Sequence, residues 1–164
     1  MISGLRLLVV MGAALAAGSA LGAPTRSSTL ALAPKDVVFV VNPDSDSVAR
    51  IAYDTNHAGT LTNEAGVGTY PRTVALAGSF VYTADQRSNT VSRVAAADLG
   101  GLQQVDLGIG CGPYGIAQTP NGQTLVVSCQ GTSEVVLLDQ DLAVQARIPL
   151  EWSNARAIAV SSDG

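Results

Sequence analysis

Two landmarks recur along this chain at one spacing, and that periodicity limits the fold more than any other feature. Val48, Val91 and Val135 stand 43 and 44 residues apart, each in a β-rich run behind a polar turn. The runs are Ser47-Val48-Ala49-Arg50-Ile51, Thr90-Val91-Ser92-Arg93-Val94 and Glu134-Val135-Val136-Leu137-Leu138. A second landmark, Pro71-Arg72-Thr73-Val74-Ala75, returns as Pro113-Tyr114-Gly115-Ile116-Ala117 and Ala155-Arg156-Ala157-Ile158-Ala159, in steps of 42. Two registers that keep nearly one period over three copies are the mark of a repeat architecture.

Each repeat resolves into four short β runs. The second landmark marks the first, over 72–77, 115–119 and 156–161. The second holds Val38-Phe39-Val40-Val41-Asn42, Val81-Tyr82-Thr83-Ala84-Asp85 and Leu125-Val126-Val127-Ser128-Cys129. The Val48-type runs are the third, and a looser fourth falls at 61–67, 102–107 and 144–150. Pro120-Asn121-Gly122 and Ser162-Asp163-Gly164 read as hairpin turns, where glycine supplies a positive φ without steric cost. Outside the first residues no stretch sustains a 3.6-residue period. Four short strands per unit of about 43 residues describe a propeller blade. The expected fold is therefore all-β, with about three four-stranded antiparallel blades in an incomplete ring.

The runs Val81-Tyr82-Thr83-Ala84-Asp85, Ser88-Asn89-Thr90-Val91, Gly112-Pro113-Tyr114-Gly115-Ile116-Ala117 and Pro120-Asn121-Gly122 resemble the YVTN-type β-propeller repeat. The second copy matches best. The third has Ser128-Cys129 where the family has Thr-Asn, and Ala155 where it has proline. The first has Ala77-Gly78-Ser79 in place of a Pro-x-Gly turn. The resemblance covers 37–164 and implies a seven-bladed propeller in complete members, on exported and surface proteins, with no single activity.

The N-terminus carries a different pattern. Arg6 precedes an apolar or small run from Leu7 to Ala17, followed by Gly18, Ser19, Ala20, Gly22 and Ala23. This is the layout of a secretory signal peptide over 1–22; the alternative is an uncleaved anchor helix. Residues 23–36, rich in Ser, Thr, Ala and Pro, are expected to form a flexible leader, and 37–164 a partial propeller. The array stops one strand into a new repeat, so further blades are expected beyond Gly164. The alternative is a short open protein that buries its edges by dimerising.

Removing 1–22 leaves eight basic against thirteen acidic residues. That balance argues against nucleic acid or an anionic membrane as partner, and no membrane span is expected after cleavage. With aromatic residues only 4 % of the chain, the core is expected to rest on Val, Leu, Ile and Ala.

Cys111 and Cys129 are the only cysteines. Centring the hairpin on Asn121-Gly122 pairs 117 with 126 and 114 with 129. Cys111 then lies within reach of Cys129 if the chain before it folds back. In an oxidising compartment that pair reads as a disulfide; two separate buried thiols are the alternative. Arg72, Tyr114 and Arg156 hold equivalent places at the start of the first strand, which is innermost in a propeller, and are expected to ring one mouth of the channel. Two arginines there suit an anionic group; the alternative is blade-to-blade pairing with Asp85 or its equivalents.

Other patterns carry less. Gly110-Cys111-Gly112-Pro113-Tyr114-Gly115 matches G-x-G-x-x-G by letter, but a strand and a turn follow it instead of a helix. His57, the only histidine, has no nucleophile placed beside it by pattern. The loop Asn42-Pro43-Asp44-Ser45-Asp46 lacks the glycine and distal glutamate of a calcium loop. No catalytic residue, metal ligand or cofactor site is assigned. The expected function is an exported binding or scaffold module, periplasmic, secreted or at the cell surface, with a protein or small anionic ligand as partner. The alternative is the opening portion of a periplasmic redox enzyme, an amine-dehydrogenase-like quinoprotein or a propeller joined to a c-type haem domain.

Overall fold

The computed structural model describes residues 25–56 and 58–163. The expected signal peptide and His57 lie outside the described residues. Fourteen strands follow in chain order among those described. β1 (Thr25–Arg26) stands apart. β2 (Leu30–Ala33), β3 (Val37–Asn42), β4 (Ser47–Tyr53) and β5 (Gly59–Gly66) form the first blade. β6 (Pro71–Ala77), β7 (Phe80–Asp85), β8 (Thr90–Ala95) and β9 (Gln103–Asp106) form the second. β10 (Pro113–Gln118), β11 (Thr124–Cys129), β12 (Glu134–Asp139) and β13 (Val144–Pro149) form the third, and β14 (Ala159–Val160) follows. Every blade is an antiparallel meander with strands in sequence order. The one helical piece described is a single 3₁₀ turn at Pro43–Ser45. The four strand types fall where the repeat placed them, in an open ring.

The leader is a correction. Leu30–Ala33 pairs with β3 along its whole length, Leu30 opposite Val40 and Ala33 opposite Val37, and completes the first blade as its innermost strand. β3 is thus flanked on both sides and is no free edge. Thr25–Arg26 pairs with β14. Between them Ser28 bridges Val74 of β6, and the Thr25 hydroxyl donates to the Gln118 carbonyl of β10. The segment therefore runs along the innermost strands of the second and third blades and along β14. The edges of such strands carry unpaired N–H and C=O groups, and a passing extended chain satisfies some of them.

The core lies between blades. Val37, Phe39, Val41 and Val48 of the first blade meet Val74, Val81, Val94 and Leu99 of the second. Tyr82, Ala84 and Val91 of the second meet Ile116, Leu125, Val127 and Leu138 of the third. Alternation along a strand sends successive side chains to opposite faces, so Val81 enters one gap and Tyr82 the next. A central strand covered on both faces reads as a nearly continuous apolar run, as 81–84 does. Each fully buried Val or Leu contributes about 1.5–3 kcal/mol. Arg93 bolts the second gap: its guanidinium lies 4.4 Å from the Phe80 ring centre, donates to the Gln140 carbonyl, and pairs with Asp141 at 2.8 Å.

Candidate functional site

Because the strands alternate in direction, the start of each first strand and the end of each second strand share one end of the blade. Their loops build one mouth of the channel. The backbone there repeats as the sequence does. Asp46, Asn89 and Ser133, the last residues of the turns into the third strand, all have left-handed φ. So do Tyr70, Gly112 and Asn154, each just before a first-strand landmark. Asp46 accepts the Tyr70 N–H at 2.7 Å and Asn89 accepts the Gly112 N–H at 3.0 Å, so each turn anchors the chain entering the next blade. The Asn42–Asp46 loop is thus a structural turn. Across the gap, Thr73 Oγ1 donates to the Tyr114 carbonyl at 2.6 Å and accepts the Ile116 N–H at 3.0 Å, fixing β10 against β6.

On this frame Arg72, Tyr114 and Arg156 come together. Arg72 donates to the Tyr114 hydroxyl, and its guanidinium carbon lies 4.4 Å from the Tyr114 ring centre. Arg156 approaches the same ring at 5.8 Å. Tyr70 and Arg87 extend the row, with Arg87 4.0 Å and Arg72 5.2 Å from the Tyr70 ring centre. Such contacts orient guanidinium groups while leaving their N–H edges available. An amide ladder runs alongside: Gln86 donates to Gln130 at 2.7 Å, Gln130 to Asn154 at 2.6 Å, and Arg156 Nε to Asn154 at 2.9 Å.

Pairing of the mouth arginines with Asp85 does not occur. The Asp85 carboxylate is fully buried and accepts the hydroxyls of Thr83 at 2.7 Å, Ser92 at 2.5 Å and Thr90 at 3.2 Å. Burial pushes its pKa up to about 6, against the pull of those donors. Among the described residues the only ion pairs are Arg93–Asp141 and Arg147–Glu134, so Arg72, Arg87 and Arg156 have no carboxylate partner.

Sequence reasoning missed Tyr70, Arg87 and the amide ladder. Tyr70 was findable, since it stands one place before Pro71 and 42 residues before Gly112. Arg87 and Gln86 sit in a turn and reach the mouth only through the blade's own folding.

Cys111 and Cys129 are joined in a disulfide with Cα atoms 4.6 Å apart. The loop at 107–112 carries Cys111 over the end of β11, and a bulge between Pro113 and Ile116 sets Pro113 opposite Cys129. The glycine-rich stretch 110–115 opens a strand, as its sequence context requires. Among the described residues no group of three His, Cys, Asp or Glu is placed to hold a metal ion, and no helix is long and apolar enough to cross a membrane.

Blades, inter-blade core and channel mouth define the fold as that of a β-propeller. No protein-family model matches the sequence, and no curated protein does. Solved structures do match. A putative 6-phosphogluconolactonase from Bacteroides fragilis aligns at TM-score 0.66 and 16% identity, over 82% of this chain and 42% of its own. Virginiamycin B lyase from Staphylococcus aureus aligns at 0.64 and 13%, over 79% and 43%. A nidogen/laminin complex aligns at 0.62 and 12%, over 87% and 53%. The chain spans about half or less of each neighbour's length, and at these identities the likeness is one of fold.

Proposed function

We propose that this chain is an exported propeller module of the YVTN type that binds an anionic group of a partner at the arginine–tyrosine mouth. The observation that carries this reading is the row Arg87, Tyr70, Arg72, Tyr114 and Arg156. Its three guanidinium groups are oriented by aromatic rings and by a hydroxyl, and none meets a carboxylate. In a chain of net charge −4, a local cluster of unneutralised arginines is a site where field and donors converge on an anion.

Export is supported by the pattern over 1–22 and by the Cys111–Cys129 disulfide, which suits an oxidising compartment. Further blades beyond Gly164 are part of the proposal. Their support is the third blade, whose Val144, Ile148 and Leu150 are exposed, and β14, which stands where a fourth blade's first strand would. The redox-enzyme alternative puts its chemistry beyond Gly164, and no geometry described above favours it.

The test is a panel of anionic and neutral glycans and acidic peptides, presented to the exported protein at low and moderate salt. Anionic members should bind and weaken with salt, and Arg72→Gln with Arg156→Gln should reduce binding by about tenfold or more, as loss of charge-assisted hydrogen bonds requires. Binding indifferent to both arginines and to salt would overturn the reading.

A further inference from the structure

The loops that lead from one blade to the next at the mouth carry a second repeated place. Val67, Leu107 and Leu150 each donate their N–H to the carbonyl of the left-handed turn residue of their own blade, Asp46, Asn89 and Ser133. Two residues further on stand Thr69, Ile109 and Trp152, all exposed. Ile109 is 97% exposed and Trp152 81%. The Ile109 loop has a complete blade on either side, so exposure at this place is a property of the fold. A single apolar side chain at a surface means little. The same place filled twice by large ones, beside a row of charges, marks a contact surface.

The residues that follow them, Gly110 and Ser153, line one groove of about 560 Å³. Its other walls are polar, with Arg87 and the ladder amides Gln86, Gln130 and Asn154. Arg87 and Asn154 join it to the arginine–tyrosine row: Arg87 lies 4.0 Å from the Tyr70 ring centre, and Asn154 accepts Arg156 Nε at 2.9 Å. A primary amide carries two N–H donors, and among the described residues the ladder uses one on Gln86 and one on Gln130. The second donor of each is left for a ligand. The groove is also held in shape beforehand. The Cys111–Cys129 bond pins the loop two residues beyond Ile109, and the Gly112 N–H bonds Asn89 at 3.0 Å. The Gly110 carbonyl lies so close over Gly131 that a Cβ there would clash with it. A preformed surface loses little freedom on binding.

Resting on the anion-binding reading of the mouth given above, we infer that the partner is an acidic protein segment carrying a large apolar side chain. Its carboxylates meet Arg72, Arg87 and Arg156, and its main-chain carbonyls accept the spare donors of Gln86 and Gln130. Its apolar side chain lies against Ile109 and Trp152. Trp, Tyr and Arg carry most of the energy at protein contacts, and this face gathers Trp152, Tyr70, Tyr114 and the three arginines. An acidic glycan would use the arginines, the amides and the Trp152 ring, but it has no use for the aliphatic side chain of Ile109.

The probes are three capped synthetic peptides and an oligosaccharide of glucuronate, titrated into the whole exported protein. The first peptide interleaves Asp with Phe, the second has Ser in place of Phe, and the third has Asn in place of Asp. Trp152 is the one tryptophan of the chain, so its emission reports on this face. The first peptide should move that emission to shorter wavelength and bind about tenfold or more tightly than the other three probes. Ile109→Ser should weaken it about fivefold or more and leave the melting temperature unchanged, since so exposed a side chain supports no packing. Trp152→Ala, followed by the anisotropy of a labelled first peptide, should weaken it likewise. The two readings fail differently. The inference is overturned, with the anion site left standing, if the glucuronate oligosaccharide matches the first peptide in a manner that depends on Arg72 and Arg156. The same holds if the first peptide ignores Ile109→Ser and Trp152→Ala yet is lost on Arg72→Gln with Arg156→Gln. Failure of every probe to bind, or binding indifferent to both arginines, overturns the anion site and the inference together.

Discussion

Three hydroxyls crowd around the Asp85 carboxylate, the Gly68 N–H stands beside it, and no cation answers its charge. The loop presses close: a side chain on Gly68 would put its Cβ 2.5 Å from Asp85 Oδ2. Burial therefore raises the carboxyl from 3.8 to about 6. The folded protein keeps a proton that the unfolded chain releases at lower pH, so stability falls as pH rises from about 4 to about 6. A shift of two pH units corresponds to on the order of 3 kcal/mol. Asp85→Asn keeps the shape and removes the titration. In urea unfolding, the variant should gain about that much on the parent between pH 4 and pH 7. Equal pH slopes for the two proteins would contradict this account. The position was visible in the sequence as the end of a repeat strand. Its protonation was not, because the Gly68 loop that excludes water from it comes from the preceding repeat.

Among elements, β7 and β11 end on equivalent residues with opposite solutions to one problem. Asp85 accepts the Ser92 hydroxyl, whose oxygen in turn accepts the Gly68 N–H of the incoming loop at 3.0 Å, whereas Cys129 holds the longer loop at 107–112 by a covalent bond. The two cysteines are 18 residues apart, a loop for which the chain-entropy picture gives about 3 kcal/mol. Cys129→Ser, or reduction, should lower unfolding stability by that order, read as a shift of the denaturant midpoint. An unchanged midpoint would mean that the loop is held by Asn89 and its neighbours alone. The turn at Asn121-Gly122 told the register correctly at Ala117 and Val126. One residue was lost beyond, because the Pro113–Ile116 bulge depends on Thr73 capturing the Ile116 N–H from another blade. The leader strand escaped notice for a similar reason. Leu30-Ala31-Leu32-Ala33 has no β-branched residue and becomes a strand only by lying on β3.

At the scale of the molecule the array is open, and its outward faces are apolar. Leu30, Leu32 and Leu61 are exposed on the first blade, and Val144, Ile148 and Trp152 on or after the third. Repeats bury their core against adjacent repeats, so residues 23–164 produced alone should self-associate and unfold with low cooperativity. Light scattering behind size exclusion checks the first and a denaturant titration the second. A monodisperse monomer with one sharp transition would show these faces to be self-sufficient. The overall plan was legible because repetition multiplies a weak signal; the path of 25–29 along the channel was not, since it has no second copy.

That path has a kinetic meaning. Within each blade every strand pairs with its neighbour in sequence, so each meander can assemble from nearby residues as soon as they are available. The ladder joining Thr25 to Val160 and Arg26 to Ala159 spans the described chain from one end to the other. Closing so long a loop costs entropy that rises with its length, and the two residue pairs, with the two hydrogen bonds between Ser27 and Ile158, offset only part of it. The clasp between β1 and β14 is therefore expected to close after the blades and to open before them, as a latch on a frame already built.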